Sequence, residues 1–283
     1  MTRMPTVFVS HGAPTFALEP GRAGPLLADL GRRLGKPRAI LVLSPHWMTR
    51  ELTLGLAPRP KTIHDFGGFA EELYELDYPA PGAPDVAHEA AELLKAAGES
   101  VSLDPQRGLD HGAWVPLRYM YAQADVPVVP LSMPAKLDTR RAWQLGQALA
   151  PLADDGILIL GSGGLTHNLL EFQTQQDSGD SAYAQEFVHW ARAVLRGNNR
   201  SALLDYKSLA PHALRAHPTP EHYLPLPFAA AAAGGREALE ILDGGILYGM
   251  LSMEAYVFGM PATAQEANPE ATPANAANPH APQ

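Results

Sequence analysis

The run GILILGSGGLTH, Gly156–His167, passes from four aliphatic residues into glycine and serine and ends on a histidine. Its first half is apolar at successive positions, as in a strand buried on both faces of a parallel sheet. Three other runs read the same way: TVFVS (Thr6–Ser10), AILVLS (Ala39–Ser44) and VPVVPLS (Val126–Ser132). Pro130 counts against the last as an interior strand, because proline has no N–H for the ladder. Helical patterns lie between the runs, over Pro25–Leu34, Pro84–Ala97, Thr139–Leu152 and Ser181–Leu195, and each opens at or near Pro, Asp, Ser or Thr. Strands alternating with helices predict an α/β fold, a mostly parallel central sheet covered by helices on both faces. The run GILYGMLSMEAYVFG (Gly245–Gly259) predicts two closely connected strands.

One catalytic domain over residues 1–260 is expected from the 283-residue length. Residues 261–283 contain no Leu, Ile, Val, Met, aromatic, Lys or Arg residue. They predict a disordered tail, and His280 within it is set aside. Apolar residues make up 46% and charged residues 18%, enough for a large core. The formal charge of -9 argues against nucleic acid or an anionic membrane as the main partner. The N-terminal MTRMPTVFVSHGAP has too short an apolar run for a signal peptide, and no stretch approaches a membrane span of about 20 residues. A cytoplasmic protein, monomeric or a small homo-oligomer, is expected. The absence of cysteine removes disulfides, thiolate metal sites and thiol nucleophiles.

Any transition-metal site must therefore use histidine and carboxylate. His11 follows VFVS, His46 follows LVLS after a proline, and His167 follows LILGSGGLT. All three fall just past the carboxyl ends of predicted strands, where open parallel sheets form their ligand crevices. His111 lies in the turn-like LDHGAW before a helical pattern, and His222 lies in HPTPEHYLPL beside Glu221. A lone histidine in a turn is more often a cap or surface residue, but five in short Gly/Pro-flanked loops form a pattern. His64 and Asp65, in TIHDFGGF, suit a substrate-side loop. Three imidazoles, or two with a carboxylate, make an open Fe(II) or Zn(II) site, and nearby histidines could move protons. HEAAE (His88–Glu92) lacks the second histidine of a zincin helix, and GSGGLTH lacks the third glycine of a dinucleotide fingerprint.

The segments SHGAPTFAL, LSPHW, TIHDFGGF, YPAPG, LDHGAWVPL, PVVPLS, GSGGLTHNL and PTPEHYLPL, in this order, resemble the DODA branch of the class III (LigB-type) extradiol catechol dioxygenases. The resemblance runs from about residue 5 to 259. It implies a mononuclear non-haem centre with His11, His46 and His222 as ligands, Fe(II) in the active enzyme and Zn(II) possible in the resting protein. It implies that His167 is a fourth ligand or an acid–base residue, and that His111 faces dioxygen and substrate. The substrates implied are a DOPA-like catechol and O2, opened to a muconic semialdehyde. The sequence departs from the pattern where an aromatic is expected at Gly67 and a proline at Ala70, which bears on substrate size. Relatives with a glutamate as third ligand keep Glu221 open as the alternative to His222. A zinc hydrolase and a catalytically silent metal-binding protein are the rival readings.

Overall fold

The computed structural model describes residues 3–174, 182–235 and 238–260, so the expected tail, 261–283, lies outside the described residues. Eight strands form the main sheet: β1 (Thr6–Ser10), β2 (Ala39–Thr49), β3 (Leu52–Gly55), β4 (Val101–Asp104), β5 (Val128–Pro134), β6 (Ile157–Gly163), β7 (Leu239–Leu242) and, last in the chain, β10 (Ala255–Phe258). Their order is β4-β3-β5-β2-β6-β1-β10-β7, and β8 (Ile246–Leu247) pairs with β9 (Leu251–Ser252) as a separate ribbon. The four central strands, β5, β2, β6 and β1, are mutually parallel and are the four runs read as strands in the sequence. Antiparallel neighbours close both flanks, β3 against β5 and β10 against β1.

Alternate residues on each central strand serve different layers. Ile40 and Val42 of β2 pack with Leu158 and Leu160 of β6 beneath α1 (Ala23–Leu34) and α3 (His111–Met120). Leu41 and Leu43 pack with Ile157 and Ile159 beneath α2 (Pro84–Ala96) and α4 (Thr139–Leu149). That double burial is why these runs are apolar at every position. Pro130 is accommodated because β5 meets β3 at the single pair Leu54↔Leu131 and because Gly55 has no Cβ, which would lie 2.5 Å from the Pro130 ring.

Three features differ from the sequence reading. First, β2 runs on to Thr49, so His46 lies inside the strand and not after it, in a register shift between Leu43 and Met48. Pro45 cannot donate to the ladder, and the resulting bulge turns His46 out of the pleat. Second, Gly245–Gly259 holds three short strands, and only β10 joins the main sheet. Third, β3, β4 and β7 are only four residues each and were too short to carry a periodic signal.

The glycines of GSGG have a specific structural task. A Cβ on Gly161 would lie 2.2 Å from the Pro225 carbonyl oxygen, and one on Gly163 2.3 Å from that of His222. The end of β6 is thus the floor on which the His222 segment rests, and Gly164 N–H donates to His222 O at 2.9 Å. Gly163→Ala should destabilise the protein by about 1–3 kcal/mol, the usual scale for overpacking. A thermal melt indistinguishable from wild type would show that the His222 segment is free to move away from the strand.

Candidate metal centre

Three histidines reach one point from three directions. His11 is the first residue after β1 and its N–H donates to Gly163 O at 2.9 Å. His46 comes from the β2 bulge, and His222 from the segment lying on Gly163. The Nε2 atoms of His46 and His11 are 3.0 Å apart, and those of His222 and His46 are 3.3 Å apart. Metal–nitrogen bonds of about 2.1 Å at angles of roughly 90–110° separate ligand nitrogens by about 3.0–3.4 Å. The spacing is that of a three-nitrogen face around one ion.

The opposite ring nitrogens explain why these atoms can offer lone pairs. Ser162 Oγ–H donates to Gly112 O, so its oxygen accepts from His11 Nδ1–H at 2.9 Å. His222 Nδ1–H faces Glu221 Oε1 at 3.4 Å, and His46 Nδ1 faces Asp65 Oδ2 at 3.5 Å. Ser162 and Glu221 hold the protons of His11 and His222 on their outer nitrogens, so those Nε2 atoms point inward bare, and Asp65 stands beside Nδ1 of His46. His46 Nε2 lies within 3.3 Å of both partners, all three donor atoms lie within 4.8 Å of one another, and such electron-rich nitrogens, with His11 and His222 buried, repel one another until a cation lies among them. The donor set fits a divalent transition metal.

Burial, followed by the neighbouring imidazoles, holds His11 and His222 well below the ordinary histidine value. Burial does the same for His46, reinforced by His111 and only partly opposed by Asp65. His167 is pushed down to about 4, first by burial and then by His111. The cluster is therefore neutral, and ready to ligate, at pH 7.

The other expected site residues lie around this face. His111 opens α3, and its ring centroid is 3.9 Å from that of His46 and 5.4 Å from that of His11. Asp65 does not stand open toward a substrate space: Oδ1 accepts from His111 N–H at 2.8 Å and Oδ2 from His111 Nδ1–H at 2.9 Å. Burial pushes Asp65 up, but the hydrogen bonds from His111 outweigh it and hold the carboxyl at about 2. His64 Nε2–H donates to Leu76 O at 2.9 Å, and its ring meets Phe66 and Trp114 edge-on. His167 lies flat on His222, with centroids 3.5 Å apart and planes 6° apart. Its donor atom groups with those of Glu221 and His222, beside the His11–His46–His222 group and a third group of His46, Asp65 and His111.

Ser162 is absent from the site residues expected from the sequence. Its signal was strand alternation, since Ser162 follows Leu158 and Leu160 on the face that packs against α3. Gly112 is a second such residue: a Cβ there would lie 2.5 Å from Ser44 Oγ and 3.0 Å from the His46 ring.

The family profile "Catalytic LigB subunit of aromatic ring-opening dioxygenase" matches residues 8–259. The chain belongs to the LigB family. It is 40% identical over 257 residues to a 4,5-DOPA dioxygenase extradiol of Beta vulgaris, covering 89% of this chain and 96% of the relative. It is 39% identical over 262 residues to the protein so named in Escherichia coli K12, covering 91% and 96%. A crystal structure of an uncharacterized E. coli K12 protein superimposes with a TM-score of 0.72 at 32% identity, covering 91% of this chain and 100% of that one. The LigB member described here is an enzyme of the extradiol dioxygenase class, and all five clustered histidines fall within the matched region.

Two outcomes follow from the geometry. Ser162→Ala should weaken zinc binding by about 10–100-fold, the usual effect of losing an outer hydrogen bond to a ligand histidine; unchanged affinity in a competition titration would remove Ser162 from that role. Metal-free protein should lose stability as pH falls from 7 towards 5. The histidines His11, His46, His167, His217 and His222 have lowered folded-state values, so the unfolded chain binds protons first, near pH 6.5. Each contributes up to about 1.4 kcal/mol per pH unit inside that window. Chelator-treated protein whose melting temperature is flat from pH 7 to 5 would contradict the neutral cluster.

Proposed function

We propose that this LigB enzyme opens the ring of a catechol, DOPA-like in kind, with O2 at a mononuclear centre, placing both oxygen atoms in a muconic semialdehyde. The observation that carries this reading is the three-imidazole face with the His111–Asp65 pair directly beside it. His11, His46 and His222 would hold the ion, Fe(II) in the active enzyme and Zn(II) possible in isolated protein. When bound, the metal supplies a template for the two diol oxygens and dioxygen and a path for electron density between them.

The chain's own residues supply positioning and proton transfer. His111 has its proton on Nδ1, tied to Asp65, so Nε2 is a proton acceptor for a catechol hydroxyl. Phe66 meets the His111 ring at 5.7 Å and 84°, and with Phe69 and Tyr74 it forms an aromatic wall suited to a flat ring. His167, in the His222–Glu221 group, is neutral at working pH and would take up a proton released by the catechol before returning it to the product. The names of the Beta vulgaris and E. coli relatives support the DOPA-like substrate class.

Anaerobic loading with Fe(II), then oxygen and a panel of catechols, should give matched O2 uptake and a yellow semialdehyde. Ester or amide hydrolysis by the zinc form, without O2 uptake, would favour the hydrolase instead. His111→Ala should keep its iron yet lose about 10²–10⁴ in turnover. Gly67 is the position where substrate size can be tuned, because a Cβ there meets nothing within 4 Å. Gly67→Tyr should fold normally and change relative rates among catechols of different size; an equal change for all of them would show that the loop does not select.

A further inference from the structure

Asp65 was expected on the substrate side of its loop, yet its oxygens are already engaged. Oδ1 takes the backbone N–H of His111 at 2.8 Å. Oδ2 takes the ring Nδ1–H of His111 at 2.9 Å and lies 3.5 Å from Nδ1 of His46. One oxygen thus faces the outer nitrogens of two histidines whose rings are 3.9 Å apart.

The segment that delivers Asp65 is fastened on both sides. Trp114 Nε1–H of α3 donates to Ile63 O at 3.0 Å, and His64 Nε2–H donates to Leu76 O at 2.9 Å. Ile63 N–H donates to Leu109 O at 2.8 Å, linking the segment to the stretch that leads into His111. Beyond it, Gly67 and Gly68 have open space around them. The anchored stretch thus ends at Asp65, two residues before the glycine pair. Arg107, beside His46, is committed elsewhere: its NH2 group donates to Asp110 Oδ2 at 2.8 Å and to His46 O at 3.3 Å. Nothing but the two imidazoles competes for Asp65 Oδ2 in the described contacts.

We propose that Asp65 is a positioning residue that fixes the tautomer of His111, so that the imidazole packed beside His46 presents a bare Nε2 to the substrate. The proposal rests on the dioxygenase reading for its kinetic consequence alone. Asparagine is the informative replacement because it is nearly isosteric. Its single carbonyl must accept the His111 backbone N–H, which turns its amide N–H₂ toward His111 Nδ1. That nitrogen must then be bare, and the proton moves to Nε2, changing His111 from acceptor to donor inside the site.

The test uses zinc-loaded full-length protein, which is diamagnetic, and reads histidine tautomers from long-range ¹H–¹⁵N spectra. Wild type should show Nδ1–H on His111. Asp65→Asn should keep zinc per chain near wild type while His111 changes to the Nε2–H form. In iron-loaded enzyme the same variant should lose about 10²-fold or more in kcat with a smaller change in KM, and Asp65→Glu should recover part of the loss. An unchanged His111 tautomer in Asp65→Asn overturns the assignment. So does a rise in KM with kcat intact, which would return Asp65 to substrate binding. If Asp65→Asn does not fold, the wild-type spectrum still decides, because Nε2–H on His111 contradicts the proposal outright. If wild type opens no catechol, the dioxygenase reading fails while the tautomer result stands by itself.

Discussion

Everything about this site depends on three neutral imidazoles being held with their lone pairs facing each other inside a protein. That arrangement is unfavourable alone: His46 Nε2 is 3.0 Å from His11 Nε2 and 3.3 Å from His222 Nε2, and none of the three can turn away. Ser162 and Glu221 hold the outer nitrogens of His11 and His222, and burial keeps protons off the inner ones. The fold pays for this with a parallel sheet whose central strands are apolar on both faces. The rigid rim of that sheet fixes ring positions that flexible loops would let relax.

Small residues decide how closely the parts of the rim approach. Gly161 and Gly163 admit the backbone of the His222 segment, and Gly112 admits Ser44 and the His46 ring. Asp110 ties the same corner together. It caps α3 by accepting from Ala113 N, takes the Ser44 hydroxyl at 2.6 Å, and pairs with Arg107 at 2.8 Å. The turn that carries His111 and the bulge that carries His46 are therefore parts of one hydrogen-bonded unit, which explains how two rings from distant sequence stay 3.9 Å apart.

Much of this was legible in the sequence, for identifiable reasons. The four central strands are apolar at successive positions because both faces are buried, and that signal does not depend on partners. Histidines just past strand ends marked the rim. What could not be read is whatever depends on pairing. The four-residue strands Leu52–Gly55 and Leu239–Leu242 exist because neighbours complete their ladders. The strand containing His46 continues to Thr49 because Met48 and Thr49 rejoin β5 beyond the bulge. Ser162 and Asp65 look like an ordinary turn serine and loop aspartate until the ring nitrogens they face are located. The stacking of His167 on His222 has no local signature either.

The central claim is that the Nε2 atoms of His11, His46 and His222 form one face around a single divalent ion. A crystal structure of protein loaded anaerobically with Fe(II), with anomalous data collected at the iron edge, tests it most directly. The account predicts one iron per chain, with those three nitrogens at about 2.0–2.2 Å, the range for imidazole ligation. Iron bound through Nδ1 atoms, or held by His167, Glu221 and His222 away from His11 and His46, would contradict it.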